Sequence, residues 1–314
     1  MRRLLAFAVL GLATPTPPIA ECRAADGPSF TRQDDIIYGR KYGTALTLDV
    51  FRPKEHVNGL GVVFVVSGGW HSSHDIDGIV PILAPVIDRG YTVFAVVHGS
   101  EPKFTIPEAH GDIMRAVRFI RFHAKDYGID PGHLGIYGAS AGGHLSLMQG
   151  TAGDQGGPIS RDPVDQVSSR VQAVACFFPP TDFLNYGKPG EDALGRGILK
   201  DFAAPFDFHD FDPARNKLVP VADEQKFREI GRQISPINHA SADDPPTLII
   251  HGDKDRLVPI QQAEVMVDAL KKAGVEASLV VKPGAEHGWP GMEKDVIQIA
   301  DWFDAHLKAP AAAK

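Results

Sequence analysis

Two kinds of hydrophobic pattern alternate along this chain. The first is the short unbroken apolar run, rich in β-branched residues. It recurs at Gly61 to Ser67 (GVVFVVS), Tyr91 to Val97 (YTVFAVV), Leu134 to Tyr137, Val171 to Phe178, Pro246 to His251 (PTLIIH) and Ala277 to Val281. Runs of that length and composition fit strands covered on both faces, as in a parallel sheet. The second pattern is helical. From Ile106 to Tyr127 the residues Ile113, Ala116, Val117 and Ile120 recur at three- and four-residue spacing, which makes one apolar helix face. Pro107 falls in the first turn, where an amide has no helical partner to lose. Helices are also predicted over residues 75–89, in spite of two prolines, and over 141–150, 260–273 and 292–308. Residues 44–52 (TALTLDVFR) alternate and read as an edge strand, while residues 25–35 are polar and read as loose chain.

Strands that alternate with helices predict the α/β class, with a mostly parallel central sheet and helices on both faces. The rhythm breaks once. Between Phe178 and Pro246 the chain carries Pro, Gly and Asp clusters, several aromatics, and weak helical segments at 190–200 and 223–232. A structureless loop of that length is uncommon in a compact domain. Residues 182–240 are therefore expected to form a small cap-like insertion over the end of the sheet.

The hydrophobic content of 43% supports a sizeable core, and 23% charged residues is ordinary. A formal net charge of -7 with no cluster of Lys and Arg argues against a nucleic-acid partner. The amino terminus has its own pattern. Arg2 and Arg3 precede the apolar run Leu4 to Ala13, which is too short to span a membrane, and small residues follow up to Ala24-Ala25. That order reads as an export signal over residues 1–24, leaving residues 25–314 as the α/β domain and predicting a secreted or periplasmic protein without a stable membrane anchor. Cleavage there would remove Arg2, Arg3, Glu21 and Arg23, taking the formal charge from -7 to -9. It would also remove Cys22, so Cys176 could form no intrachain disulfide. Cys176 lies in the apolar run VQAVACFF and reads as a core residue.

The chemistry concentrates where strands end. Gly138-Ala139-Ser140-Ala141-Gly142-Gly143 follows one predicted strand and opens a predicted helix, the setting of a nucleophile elbow. A serine on so sharp a turn needs small neighbours, and the helix behind it favours developing negative charge. The Ala141 amide is the natural first oxyanion donor. Ser67-Gly68-Gly69-Trp70 ends an earlier strand and offers a second, Gly69 or else Trp70. After the Pro246–His251 strand comes His251-Gly252-Asp253-Lys254-Asp255, in which two aspartates compete. Asp253 is closer to the strand and suited to bracing the loop, whereas Asp255 lies further out, where a carboxylate can reach a histidine; spacing leans towards Asp255 without settling it. Pro283-Gly284-Ala285-Glu286-His287-Gly288-Trp289 then follows the next strand. The chain order Ser, Asp, His is that of α/β-hydrolases rather than of either serine-protease order.

No metal or other cofactor is expected. His71 and His74 are three apart, but no matching carboxylate or cysteine motif accompanies them. His71, Trp70 and Trp289 are expected as substrate-binding residues, with Phe104 as a further candidate for an aromatic wall. His98 and His110 read as packing or hydrogen-bonding residues.

These motifs carry a resemblance. The chain resembles α/β-hydrolases of the bifunctional feruloyl and acetylxylan esterase-like type over about residues 40–308. It is also similar to hormone-sensitive-lipase-like esterases and to the catalytic domain of prolyl-oligopeptidase-type peptidases. GASAGG carries the serine motif and AEHGW the histidine loop. HGDKDRLVP matches a form in which the second aspartate is catalytic, so the resemblance selects Asp255. One departure stands out: the oxyanion segment usually begins with a histidine that braces the loop, and here Ser67 takes that position.

The resemblance implies a serine carboxylesterase acting on short-acyl or carbohydrate-linked esters, small-molecule or saccharide, with Ser140 as nucleophile, His287 as base and Asp255 as the supporting acid. The alternative is an exopeptidase-like serine hydrolase. It would need an anchor for a peptide terminus, for which the acidic stretch at residues 207–213 is a weak candidate.

Overall fold

The computed structural model describes residues 28–308; the leader expected over residues 1–24 lies outside them. Ten strands and seven helices follow in chain order: β1 Phe30–Lys41, β2 Thr44–Pro53, β3 Gly61–Val66, α1 Val80–Ile87, β4 Thr92–Val97, α2 Ile106–Phe122, α3 Ala124–Tyr127, β5 Leu134–Ala139, α4 Ala141–Ala152, β6 Ala173–Phe177, β7 His209–Asp212, β8 Lys217–Pro220, α5 Glu224–Gln233, β9 Thr247–Gly252, α6 Gln261–Lys272, β10 Ala277–Lys282 and α7 Met292–Leu307. Eight of the strands form one sheet in the order β1-β2-β4-β3-β5-β6-β9-β10. The run from β4 to β10 is parallel, and β1 and β2 pair antiparallel at one edge. This is the sheet of an α/β-hydrolase.

The apolar runs become the central strands for the reason their composition suggests. In β3, Val63 and Val65 enter one core with Ile113, Val117, Leu145 and Met266 of α2, α4 and α6. Val62, Phe64 and Val66 enter the other with Leu83, Val86, Ile299 and Phe303 of α1 and α7. Side chains alternate across a strand, so a segment covered on both faces must be apolar at every position. The first turn of α2 is closed by a capping box between Thr105 and Glu108.

Several elements depart from the sequence reading; of the weak helical segment expected at 190–200, only a 3-10 turn over Gly197–Phe202 forms. Residues 30–35, read as loose chain, belong to β1, which pairs along β2 from Phe30 to Lys41. The strand is mostly exposed, with Tyr38 its one buried residue. An edge strand of that kind owes its form to backbone pairing and leaves no apolar signature. Over residues 75–89 only Val80–Ile87 is α-helix, after a short 3-10 turn at Asp77–Ile79.

Residues 182–240 hold 3-10 turns, the β7–β8 hairpin and α5. Their aromatic residues Phe183, Tyr186, Phe206 and Phe208 join the same core as α4. The apolar residues of α5 turn inward, with the Phe227 ring 5.1 Å from that of Phe208. Among the described residues, no helix is long and apolar enough to cross a membrane.

Candidate active site

Ser140 stands between β5 and α4 with φ 53° and ψ -119°, a backbone conformation that L-residues rarely adopt. Its neighbours make the turn possible. A Cβ on Gly138 would fall 2.5 Å from the Gly142 backbone, and one on Gly142 would fall 2.6 Å from the Val65 carbonyl oxygen. Only glycine allows α4 to lie this close to β5 and to the end of β3. The Ser140 amide donates to the Phe177 carbonyl at 2.9 Å, which anchors the elbow to β6.

Two further loops converge on Ser140. His287 Nε2 lies 3.0 Å from Ser140 Oγ, and its Nδ1 lies 2.7 Å from Asp255 Oδ2. A carboxylate only accepts, so Nδ1 carries the proton and Nε2 is left to accept from the serine hydroxyl. Asp255 Oδ1 accepts from the Leu257 and Val258 amides, each at 2.9 Å. Burial pushes the Asp255 pKa up, but hydrogen bonds from His251, His287 and the Val258 amide outweigh it and hold the carboxyl well below the usual range. Asp253 does not reach His287; its Oδ1 accepts from the Gly284 amide at 2.7 Å and ties the two loops together. The Phe178 ring packs on His287, with centroids 4.5 Å apart.

The segment after β3 is a tight turn. Gly68 and His71 exchange two backbone hydrogen bonds of 2.9 Å, with Gly69 and Trp70 between them at φ 56° and 63°. That is the signature of a two-residue primed turn. The reciprocal pair leaves the Gly69 and Trp70 amides outside it. Ala141 heads α4, where a first-turn amide has no helical acceptor. These are the three donors that the sequence nominated, and the packing of Gly142 on the Val65 and Ser67 carbonyls brings their two segments side by side.

The expected substrate wall is different. Trp70 is 3% exposed; its indole points into the core, against His144, Phe183 and Phe206. A left-handed φ at this position turns the side chain away from the open face of the turn. The side chain beside the turn is instead Phe202, whose ring would lie 2.6 Å from a Cβ on Gly69. Trp289 is half-buried behind the histidine loop. Its Nε1 donates to Asp295 at 2.7 Å and its ring packs on Phe177 and Phe178. His71 is exposed and faces Glu101 at 3.3 Å. Phe104 is buried beneath Lys41, whose Nζ lies 4.0 Å from its ring centre, and packs beside Gly99.

His98 hydrogen-bonds, as the sequence reading allowed, and two further histidines, His144 and His251, acquire roles that the sequence did not assign. His98 Nδ1 donates to the Gly99 carbonyl at 2.9 Å, and its Nε2 accepts from Ser67 Oγ at 2.8 Å. His144, one turn after Ser140, accepts from Trp70 Nε1 at 3.0 Å and donates to the Ile234 carbonyl at 2.7 Å. His251 Nε2 donates to the Val258 carbonyl at 2.8 Å, with Asp255 Oδ2 at 3.4 Å. A histidine at the fourth position after the elbow serine, inside an apolar helix, was the available signal for His144. No group of three or more His, Cys, Asp or Glu residues comes together as a metal site among the described residues.

The sheet order and the line of hydrogen bonds at its carboxyl edge define this chain as an α/β-hydrolase. The BD-FAE family model matches residues 48–270, and that of the dienelactone hydrolase family matches residues 230–312. The chain belongs to the BD-FAE family. It is similar to a probable carboxylic ester hydrolase, LipM, of Mycobacterium tuberculosis, with 29% identity over 83% of this chain and 57% of the relative. The chain spans a little over half the length of the first curated relatives it matches. Among solved structures it is similar to a truncated carbohydrate esterase from gut microbiota, with TM-score 0.71, 25% identity, and 89% of this chain and 98% of that one covered. It is also similar to the butyrate-bound esterase 2 of Thermogutta terrifontis, with TM-score 0.65, 25% identity, and 88% and 94% covered.

Proposed function

We propose that this protein is a serine carboxylesterase that hydrolyses short-acyl or carbohydrate-linked esters through an acyl-enzyme. The observation that carries this reading is the line Asp255–His287–Ser140, with contacts of 2.7 and 3.0 Å, on a strained elbow. His287 Nε2 takes the hydroxyl proton as Ser140 Oγ attacks the ester carbonyl. Asp255 holds the imidazole in the required tautomer and stabilises the imidazolium that forms. The Ala141 amide and the Gly69 or Trp70 amide hold the carbonyl oxygen as it becomes an oxyanion. His287 returns its proton to the leaving alcohol, then activates a water that attacks the acyl-enzyme.

Phe202 supports a short acyl group, because its ring narrows the space beside the turn at Gly69. The names of the relatives support ester chemistry, and that of the gut esterase a carbohydrate-linked substrate. The exopeptidase alternative has no comparable support: the acidic stretch at residues 207–213 lies largely in the β7–β8 hairpin, where Asp210 pairs with Lys226 at 2.6 Å. Export after cleavage at Ala24 belongs to the same reading and rests on the Arg2-Arg3 and Leu4–Ala13 pattern.

The test is kcat/KM for acetyl, butyryl and palmitoyl esters, acetylated and feruloylated sugars and a dipeptide aryl amide, with Ser140→Ala as the control. Acetyl or butyryl esters should lead, the amide should fall roughly 10²-fold lower, and Ser140→Ala should lose about 10³-fold or more in kcat. A preference for the palmitoyl ester or the amide would overturn the substrate class. Near-normal turnover by Ser140→Ala would overturn the mechanism.

A further inference from the structure

The turn that carries Gly69 and Trp70 has an unusual residue at an unfavourable backbone angle. A two-residue primed turn wants glycine or asparagine at both central positions. Here the second is tryptophan, at φ 63°. A bulky side chain in the left-handed region costs roughly 1–2 kcal/mol, so something must hold it there. The holding group is visible. The indole is enclosed by the rings of His144, Phe183 and Phe206, with centroids 5.6, 5.7 and 5.3 Å away. Its one polar atom, Nε1, donates to His144 Nδ1 at 3.0 Å.

His144 is itself fixed from both sides. Its backbone amide donates to the Ser140 carbonyl at 2.9 Å, one helical turn from the elbow. Its Nε2 donates to the Ile234 carbonyl at 2.7 Å, at the end of α5. The side chain is fully buried and both ring nitrogens are used. Burial lowers its pKa to about 3, so the imidazole stays neutral and Nδ1 stays an acceptor above that pH.

We propose that His144 is a positioning residue for the oxyanion hole, acting through the Trp70 indole to fix the Gly69–Trp70 turn against the Ser140 elbow. The proposal deepens the esterase reading and rests on it. The physical need is distance. Oxyanion donors work only within about 2.7–3.1 Å of the position that the charged oxygen will take, and a displacement of about 1 Å costs on the order of 10²-fold. The two amide segments belong to different loops, after β3 and after β5. The indole–imidazole bond joins those loops directly, with one end on the residue that carries the turn amide and the other on the helix that begins at Ala141. Phe183, Phe206 and Ile234 all come from residues 182–240. In this arrangement the insertion contributes the socket that seats the turn.

Three variants separate positioning from general stability. Trp70→Phe keeps an aromatic ring in the socket and removes the donor. His144→Leu removes both polar contacts at similar volume. His144→Gln offers an amide oxygen to the indole and an amide donor to Ile234. Each is measured for thermal unfolding, for kcat and KM on an acetyl ester, and for the rate at which a fluorophosphonate probe labels Ser140. The probe reaction develops charge on a phosphoryl oxygen in the same hole and needs no knowledge of the substrate.

Trp70→Phe and His144→Leu should lose about 10-fold or more in both kcat and labelling rate, with KM within about 2-fold, and His144→Gln should recover most of the loss. Folded Trp70→Phe with wild-type kcat and labelling would overturn the proposal, as would a loss confined to KM. If His144→Leu does not fold, Trp70→Phe decides. Wild-type protein that neither turns over esters nor takes the probe would instead bring down the esterase reading, and this proposal with it.

Discussion

Ser67 Oγ donates to His98 Nε2 across 2.8 Å, which joins the ends of the adjacent strands β3 and β4 just before the Gly69–Trp70 turn. The related sequences that this chain resembles usually carry a histidine where Ser67 stands. Here the imidazole comes from His98, at the end of the neighbouring strand. Ser72 extends the brace: its Oγ donates to the Val66 carbonyl at 2.5 Å and accepts from the His98 amide at 3.2 Å.

This brace predicts an acid-sensitive fold. Burial lowers the His98 pKa from 6.5 to about 4, and those of His110 and His144 to about 4 and about 3. Between those values and 6.5 the unfolded chain binds protons that the folded chain does not. Stability is therefore full above about pH 6.5 and falls as the pH drops towards 4. A drop from 6.5 to about 4 is worth on the order of 3 kcal/mol for one histidine. Urea unfolding at steps from pH 8 to pH 4 measures the slope, and His98→Gln should flatten it. An unchanged slope in that variant would remove His98 as a cause.

The two aspartates of one loop should separate in kinetics. Asp255→Asn removes the carboxylate that fixes the His287 tautomer, and kcat should fall by about 10³-fold or more. Asp253→Asn alters only the contact to the Gly284 amide, and kcat should stay within about 10-fold. Parallel assays with one ester decide, and the reverse ranking would transfer the acid role to Asp253.

The elbow should tolerate no side chain at Gly138. A Cβ there meets Gly142 backbone atoms at 2.5 Å, and backbone cannot turn aside as a flexible side chain can. Gly138→Ala should destabilise by about 3 kcal/mol or more. Gly111→Ala is the contrast: nothing lies within 4 Å of a Cβ in that exposed part of α2, so it should be neutral or stabilising by up to about 1 kcal/mol. Chemical denaturation of both variants checks the pair, and a shift below about 1 kcal/mol for Gly138→Ala would refute the packing argument.

Export makes a separate prediction. Protein recovered from its native host should begin at Ala25 or Asp26 and be found outside the cytoplasm. Amino-terminal sequencing checks this, and an intact Met1 on cytoplasmic enzyme would refute it.

The central strands, the elbow and the two loops after β9 and β10 were legible in the sequence because each depends on local rules. A strand buried on both faces must be apolar throughout, and a serine on a tight strand-to-helix turn must have glycine two positions away on each side. The order of Ser140, Asp255 and His287 could be read because each follows a recognisable strand. Other features depended on partners distant in the chain. The polar stretch from Phe30 to Lys41 is a strand only because β2 offers it a backbone edge, and hydrophobicity does not report that. Trp70 follows the glycines as a substrate wall would, yet its left-handed backbone sends the indole inward to His144, 74 residues away in sequence. Spacing only leaned towards Asp255 over Asp253, and it is the approach of the β10 loop that gives Asp253 the Gly284 amide and Asp255 the His287 ring. The sequence determined which residues must be buried and which turns must be sharp; tertiary packing decided which side chains meet, because contact depends on the relative placement of whole elements and not on the period of any one of them.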